Sequence, residues 1–315
     1  MEPSTTLSQS AGQHAFRLMG RLAATLTIVI WGTTFISTKI LLADFQPVEI
    51  LFFRFSMGFF ALLAVCPKRL KTADYKQELT FAAAGLCGIC LYYLLENIAL
   101  TFTLASNVGV IISVAPFFTA MLAHLYKKSE EKLKMRFFAG FAIAMAGIIL
   151  ISFHSSKLEL NLTGDLLAAA AAFVWACYSI LTRKISGFGY SVILSTRRTF
   201  FYGILFMLPA LLFFDFQMNL PRFADRTSLF HMLYLGFGAS ALCFVTWNFA
   251  VKMLGAVRTS VYIYMVPVIT VVTSALILHE PLSIYTGAGT ILTLTGLFLS
   301  EYKPERKGDK NGSTE

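Results

Sequence analysis

The carboxylate of Glu96 stands within a long apolar stretch of this sequence. An ionisable group in such surroundings is costly, by roughly 2.5–3.5 kcal/mol on insertion scales, so it needs either a partner or a task. Two interpretations follow. As a working group, Glu96 binds a substrate amine or exchanges a proton; as a structural group, it forms a fixed salt bridge with Lys39 or Arg54.

Cations at other apolar positions are candidates for gating or ion pairing: Lys39, Arg54, Arg183 and Arg198. Lys39 and Arg183 lie near the ends of their stretches, where they either take part in a gate or extend to headgroups and helix C-terminal carbonyls. Arg54 and Arg198 lie about two turns deeper, and an arginine at that depth needs a partner.

The partners of the deeper arginines remain open at this point. Glu96 is the first candidate for Arg54, with Glu49 and Glu280 as competitors near the outer end. The inner side offers Arg198 no acid within an apolar stretch, which leaves a carbonyl, substrate, or the acids of the loop at 130–131.

Aromatic and amide residues form a second group with possible binding chemistry. Trp31 and Trp175 lie near the middle of their stretches, where anchoring at a membrane interface does not explain a tryptophan. Their indole N–H groups need partners, so they either form the wall of a central cavity or pack between helices. The candidate substrate-binding residues are Trp31, Tyr92, Glu96, Asn97, Trp175, Tyr178, Trp247, Asn248 and Tyr264.

Two prolines interrupt apolar stretches. Pro116 and Pro267 each remove a backbone donor, so the carbonyls of Ile112 and Ile263 lose their usual partners and a kink is expected. The kink is either a hinge that presents carbonyls to substrate or a static bend.

Other chemistry lacks a motif in this sequence. It contains no HExxH, no P-loop and no GxSxG, and the five cysteines have no repeated CxxC pairing. We therefore expect no catalytic residue, no metal site and no cofactor, and the protein is not predicted to be an enzyme.

The elements that position these residues follow from composition. The 315 residues are 57% hydrophobic and only 14% charged, and the apolar residues fall in blocks of about 20, the length that a helix needs to cross a bilayer. The pattern predicts an all-α membrane protein with ten transmembrane helices, at about 20–41, 47–66, 78–99, 103–126, 136–153, 164–182, 191–213, 229–251, 257–278 and 283–301.

The orientation follows from the basic residues, which concentrate in alternate joints between the blocks. By the positive-inside rule both termini are cytoplasmic, and the net charge of +9 reflects topology and not nucleic-acid binding. Residues 1–19 and 302–315 are polar and are predicted to be flexible cytoplasmic extensions.

The chain also contains an internal repeat. A shift of 144 residues superposes Trp31 on Trp175 and Arg54 on Arg198, and a shift of 151 superposes Asn97 on Asn248. The two units are predicted at 20–153 and 164–301. Five crossings per unit is an odd number, so the second unit is inverted relative to the first, as alternating access requires.

The duplicated motifs carry a family resemblance. They are Trp31-Gly32-Thr33-Thr34-Phe35 with Lys39 and Arg54, the stretch from Asn97 through Ala105 to Pro116, its copy from Asn248 to Pro267, and His279-Glu280-Pro281. In order and duplication they resemble the ten-helix EamA-type family of the drug/metabolite transporter superfamily. The resemblance covers nearly the whole chain and implies export or import of amino acids and other small metabolites.

The function predicted from these features is secondary active transport of a small polar or amphipathic metabolite, an amino acid or related compound above all, by alternating access. A cation or drug exporter is the alternative within this class; a membrane-embedded lipid-modifying enzyme or a receptor is the alternative outside it. The expected partners are the substrate, the bilayer and a proton as coupling ion, and the expected location is the inner membrane of a bacterium. We expect a monomer, with a dimer as the alternative.

Overall fold

The computed structural model describes residues 4–127, 135–152, 161–214, 216–218, 220–280 and 283–301. Helices and turns make up this part of the chain, which contains no strand. Its ten long helical segments are α1 (Ser4–Leu41), α2 (Pro47–Val65), α3 (Tyr75–Phe102), α4 (Ala105–Ile112 and Ala115–Lys127), α5 (Met135–Ser152), α6 (Leu162–Ser186), α7 (Val192–Phe213), α8 (Arg226–Leu254), α9 (Ala256–Ile277) and α10 (Ile284–Glu301).

Seven of the described helices are long and apolar enough to cross a membrane. They are α1 from Phe16, α2, α3, α4 to Leu125, α6, α8 and α9. In α5 a shorter apolar helical stretch, Phe138–Gly147, has the same character. The chain is therefore an all-helical integral membrane protein.

Each predicted span coincides with a helix, and the largest difference is at the start. Helix α1 begins at Ser4, well before residue 20, because no proline or glycine after Pro3 interrupts the helix-forming residues until Gly12. The predicted cytoplasmic tail, 302–315, lies outside the described residues, as do Glu130 and Glu131.

Local sequence explains several helix starts. Asp74 accepts a hydrogen bond from the backbone N–H of Gln77 at 2.7 Å and caps α3. Asp225 accepts one from the N–H of Ser228 at 2.8 Å and caps α8, and this hydrogen bond holds the pKa of the Asp225 carboxyl below its ordinary value.

Four helices are irregular at places that match between the two halves of the chain. A π-helical segment interrupts α3 at Leu86–Leu91 and α8 at Tyr234–Leu242. Helix α4 breaks between Ile112 and Ala115, one residue before Pro116, and a 3₁₀ segment, Val261–Met265, precedes Pro267 in α9. The predicted interruptions are present, but the carbonyl of Ile263 is not left free, because the N–H of Val266 bonds to it across a tighter turn.

The packing of the helices repeats when the first five are exchanged with the last five. Helix α1 packs on α8 and α9, as α6 packs on α3 and α4. Helix α2 packs on α8, as α7 packs on α3, and α5 packs along α10. Glycines allow these close approaches: a Cβ at Gly88 would lie 2.2 Å from the ring of Tyr178, and one at Gly296 would meet the backbone of Ala144.

Candidate functional site

All three tryptophans of the chain meet at the centre of the helical assembly. The ring centroid of Trp31 lies 5.1 Å from that of Trp175 and 5.1 Å from that of Trp247, and the latter two lie 5.9 Å apart. The indole N–H of Trp31 donates to the carbonyl of Ala239 at 2.9 Å, whereas the buried N–H groups of Trp175 and Trp247 have no hydrogen-bond partner in the described residues.

A cavity opens beside this cluster. It lies between α1, α3, α4, α6 and α9, so both halves of the chain contribute to it, and it contains about 390 Å³ of unfilled space when the part open to solvent is included. We call it the central cavity; its lining residues are Trp31, Thr34, Phe35, Tyr92, Tyr93, Glu96, Ile112, Trp175, Ile263 and Val266. A mostly apolar and aromatic wall with a few polar groups is typical of small-molecule sites.

Glu96 is the charged group of the central cavity, and it is only 1% exposed. The hydroxyl of Tyr92, one turn earlier on α3, donates a hydrogen bond to the Glu96 carboxyl, while Oε1 has no partner in the described residues. Neither Lys39 nor Arg54 forms a salt bridge with it; Arg54 acts only through a longer electrostatic interaction. A buried acceptor left open toward a cavity is available to a ligand.

Arg54 is stabilised mainly by aromatic faces. Its side chain is fully buried, and the guanidinium carbon lies 4.4 Å from the ring centroid of Tyr93 and 5.2 Å from that of Phe55. Its Nε donates to the hydroxyl of Ser240 on α8 at 3.0 Å, and its two Nη groups have no hydrogen-bond partner among the described residues. Arg54 thus stands behind Tyr93 and does not line the cavity.

Lys39 and Arg183 make equivalent contacts with helix ends. Lys39 Nζ donates to the carbonyls of Leu100 and Thr103 at 2.5 and 3.1 Å, at the end of α3. Arg183 Nη1 donates to the carbonyl of Lys252 at 3.5 Å, at the end of α8. The alternative in which these cations reach helix C-terminal carbonyls is the one that the geometry supports.

Glu280 lies at the same end of the helical assembly as Lys39, close enough to interact with it electrostatically. Its carboxylate accepts the backbone N–H groups of Ala105 and Ser106 at 3.0 and 3.2 Å and the Ser106 hydroxyl at 2.8 Å, so it caps α4. His279 takes a left-handed backbone conformation with φ of 53° and turns the chain end of α9 onto α4. Glu280 is therefore a cap for α4 and not a partner of Arg54.

Arg198 does have an acidic partner, which corrects the expectation that the inner side offers none. It pairs with Glu78, which also accepts a hydrogen bond from the Tyr202 hydroxyl. Because α3 begins at Tyr75, Glu78 lies within its first turn and faces α7. Glu49, the other competitor for Arg54, instead pairs with Arg222 at 2.9 Å through both carboxylate oxygens.

The nine predicted binding residues separate into three groups. The central cavity gathers Trp31, Tyr92, Glu96 and Trp175; Trp247 and Tyr178 lie behind them, and Asn97, Asn248 and Tyr264 do not line it. The amides instead join helices. Asn97 Nδ2 donates to the carbonyl of Pro47 at 3.0 Å, and Asn248 Nδ2 donates to the hydroxyl of Thr196 at 2.9 Å.

The lining residues that the sequence does not single out are mostly apolar. Ile112 and Ile263 line the cavity from the breaks in α4 and α9, and the prolines that cause those breaks are the signal that locates them. Thr34 and Phe35 lie three and four residues after Trp31, so helical spacing from that tryptophan would have found them. Tyr93 has no such signal.

Comparisons with known proteins agree with this description. The model of the EamA-like transporter family matches residues 18–153 and again 162–302. An "Uncharacterized transporter" of Archaeoglobus fulgidus is 30% identical over 290 residues, covering 90% of this chain and 97% of that protein. A "Probable amino-acid metabolite efflux pump" of Escherichia coli is 27% identical, covering 92% and 97%.

Two further similarities bear on substrate and fold. A "Probable terminal-alkyne amino-acid exporter" of Streptantibioticus cattleyicolor is 25% identical, covering 88% of this chain and 91% of that protein. A solved crystal structure with 18% identity shares the fold, with a TM-score of 0.66 over 91% of this chain and 97% of that one. With the family model matching both halves and helices that suit a bilayer, the chain belongs to the EamA-like transporter family.

Proposed function

We propose that the protein is a secondary active transporter that moves an amino acid or a related small amphipathic compound by alternating access. One observation carries the proposal: a cavity between the two halves is lined by Glu96 and Trp175, and one buried carboxylate oxygen, Glu96 Oε1, and the buried indole N–H of Trp175 have no partner in the described residues. Such groups cost free energy in an empty site and favour a ligand that bonds to them.

The proposed architecture is ten membrane crossings in two inverted units, 20–153 and 164–301, with both termini in the cytoplasm. The exchange symmetry of the helix packing and the two separate family matches support two related units. The basic residues of alternate joints support the orientation. Two inverted units of one fold give two packings of similar energy that open to opposite sides.

The substrate class follows from the chemistry of the central cavity. Glu96 suits an ammonium group, Trp175 offers an N–H donor, and the aromatic wall suits an apolar side chain. Relatives named as amino-acid efflux pumps and exporters support the same class. We expect Tyr92 and Trp31 to complete the site, and a proton on Glu96 to be the coupling ion.

A cation or drug exporter is the second candidate, and one observation favours it. Such a protein needs Glu96 free of its basic neighbours, and neither Lys39 nor Arg54 forms a salt bridge with it. The two candidates differ in whether the substrate carries a carboxylate, which an assay can vary directly. In either case we expect a monomer in a bacterial inner membrane.

The test is uptake into proteoliposomes that contain the purified full chain. Radiolabelled L-leucine is the reporter, and L-leucinamide, N-acetyl-L-leucine and tetraphenylphosphonium are the competitors. An amino acid carrier gives saturable leucine flux that Glu96→Gln reduces and that tetraphenylphosphonium does not block. Flux of tetraphenylphosphonium without leucine flux favours the second candidate. If no compound enters liposomes that contain the protein faster than it enters protein-free liposomes, the transport proposal is wrong.

A further inference from the structure

A second cavity lies between α6, α7 and α8, toward the end of α6 that carries Arg183 and Lys184, and contains about 340 Å³ of unfilled space when the part open to solvent is included. We call it the inner cavity. Its polar lining consists of hydroxyls, one amide and one ammonium, from Thr182, Ser186, Tyr190, Ser195, Thr199, Asn248 and Lys252. None of its lining residues is acidic. The predicted binding residue Asn248 lies here and not in the central cavity.

Hydrogen-bond donors at the inner cavity outnumber their partners. Ser195 is only 7% exposed, yet its hydroxyl forms no hydrogen bond within the described part of the chain, and the Lys252 ammonium forms none there either. Helix α7 begins at Val192 without a side-chain cap from Ser191, so the first amides of α7 also lack a partner within the helix. The N-terminus of a helix favours an anion.

The acceptors at the same place are already used. The carbonyls that end α6 accept the N–H groups of Gly187 and Phe188 at 3.1 and 3.0 Å, and the Ser186 hydroxyl donates to the carbonyl of Arg183 at 2.7 Å. The carbonyl of Lys252 accepts from Arg183. The inner cavity therefore has a positive side chain and more unused donors than unused acceptors. The C-terminal ends of two helices, which carry partial negative charge, lie nearby but do not reverse this.

The internal repeat provides a matched comparison. In the first unit the equivalents of Ser195 and Thr199 are Leu51 and Phe55, both fully buried in the apolar core, and the equivalent of Lys252 is Thr101. The first unit therefore has two apolar residues and one uncharged residue at the positions of Ser195, Thr199 and Lys252. Because the fold itself does not require these groups, they indicate a chemical task at this end.

From these observations the geometry points to an anion site: the inner cavity binds a carboxylate or phosphate group through Lys252, Ser195 and the first amides of α7. One face of α6 connects it with the central cavity, since Trp175, Tyr178 and Thr182 follow one another at helical spacing and Tyr178 contacts both Trp175 and Asn248. The anion comes either from a soluble molecule or from a lipid headgroup. The site stands on its own contacts and does not depend on transport.

The test measures binding of N-acetyl-L-leucine, which has a carboxylate but no ammonium, to the purified full chain by calorimetry in a zwitterionic detergent. The lipid source is tested in parallel by native mass spectrometry of phosphatidylglycerol retained from phosphatidylcholine nanodiscs. We expect Lys252→Met and Ser195→Leu each to weaken the binding of N-acetyl-L-leucine or of phosphatidylglycerol by tenfold or more. Lys252→Arg should retain the binding that those two variants lose. Lys184→Met removes an exposed charge at the same end and is the control.

The outcomes separate clearly. Loss of N-acetyl-L-leucine binding in Lys252→Met assigns the site to a soluble anion, and loss of phosphatidylglycerol alone assigns it to lipid. If both probes bind Lys252→Met and Ser195→Leu as they bind the unchanged protein, or if neither probe binds at all, the anion site is wrong. Binding of L-leucinamide, which depends on Glu96, reports on the central cavity and is expected to be unchanged in these variants. The failure of one proposal is thus distinguishable from the failure of the other.

Discussion

Replacing Glu96 with glutamine removes the negative charge of the central cavity and keeps the size of the side chain. In the ligand-free protein the carboxylate is buried, and Oε1 has no partner in the described residues. An unsatisfied buried polar group costs about 1–3 kcal/mol, and more when it is charged. Glutamine also leaves a polar atom unpaired at this place but carries no charge, so we expect Glu96→Gln to stabilise the protein without ligand by the difference, about 1 kcal/mol.

The same substitution should weaken binding. A hydrogen bond to a charged group contributes about 1.5–3 kcal/mol, and each 1.4 kcal/mol is a factor of ten in affinity. The affinity of a ligand with an ammonium group is therefore expected to fall by about ten- to hundredfold. Stability and affinity move in opposite directions, which a purely structural role does not produce.

The assay is thermal unfolding of the purified protein with and without ligand. A ligand that binds only the folded state raises the midpoint by mass action, so the shift caused by L-leucinamide should be large for the unchanged protein and small for Glu96→Gln. N-acetyl-L-leucine should stabilise both proteins equally, because its proposed site lies at Lys252. This pair of ligands controls for a general change in the protein.

A salt bridge would give the opposite result. Breaking a buried ion pair typically costs about 3–5 kcal/mol, because the partner charge is left alone. If Glu96→Gln lowers the unfolding midpoint strongly and leaves the response to L-leucinamide intact, Glu96 is a structural partner of Arg54. The reasoning from the open carboxylate oxygen would then be refuted.

Three further predictions concern the scaffold. Gly88→Ala should destabilise the protein by about 1–3 kcal/mol or more in thermal unfolding, because its Cβ would meet the buried ring of Tyr178. Gly287→Ala is the control, because the space around Gly287 is open. Equal effects of the two substitutions would contradict the close packing of α3 on α6. Glu280→Gln weakens the cap on α4. A cysteine introduced at Asn107 should then react about tenfold faster with maleimide added from outside. An unchanged rate would show that Glu280 does not hold this end of α4 closed. Glu49→Gln should cost about 3 kcal/mol or more in unfolding experiments, since its carboxylate is buried and paired, and a cost near zero would show that the pair contributes little.

The positions of the helices were predictable because bilayer thickness fixes the length of an apolar span. What the sequence did not provide is the rotation of each helix about its axis. Glu78 illustrates this: it stands at the edge of a predicted span, and only the direction in which α3 presents its first turn brings it to Arg198. Glu49 and Arg222 likewise come together through a long loop whose path no pattern in the sequence indicates.

The candidate site was predictable only where a residue type was unusual for its position. A tryptophan near the middle of an apolar span, or a carboxylate anywhere within one, is conspicuous, and three such residues, Trp31, Trp175 and Glu96, do line the central cavity. An isoleucine in an apolar span is not conspicuous, so Ile112 and Ile263 emerge only from the neighbouring prolines. The amide of Asn97 does not line the cavity: its Nδ2 donates to the carbonyl of Pro47 at the start of α2, while its Oδ1 has no partner among the described residues.

The two halves share their packing but not their chemistry, and the difference bears on how a carrier of this design would work. In the proposed inverted arrangement, equivalent packing of the two units would let inward-open and outward-open arrangements approach equal energy. The positions at which the two units carry different residues would then decide which arrangement is favoured. At the end that the proposed topology places outside, Glu280 and Lys39 bond α4 and α3 to their neighbours, and Leu51 is the counterpart of Ser195. At the end that it places inside, the cavity beside Ser195 is open and is lined by Lys252. A ligand with a carboxylate would therefore meet its first complementary charge from the inner side, and Tyr178 would separate that encounter from the carboxylate of Glu96.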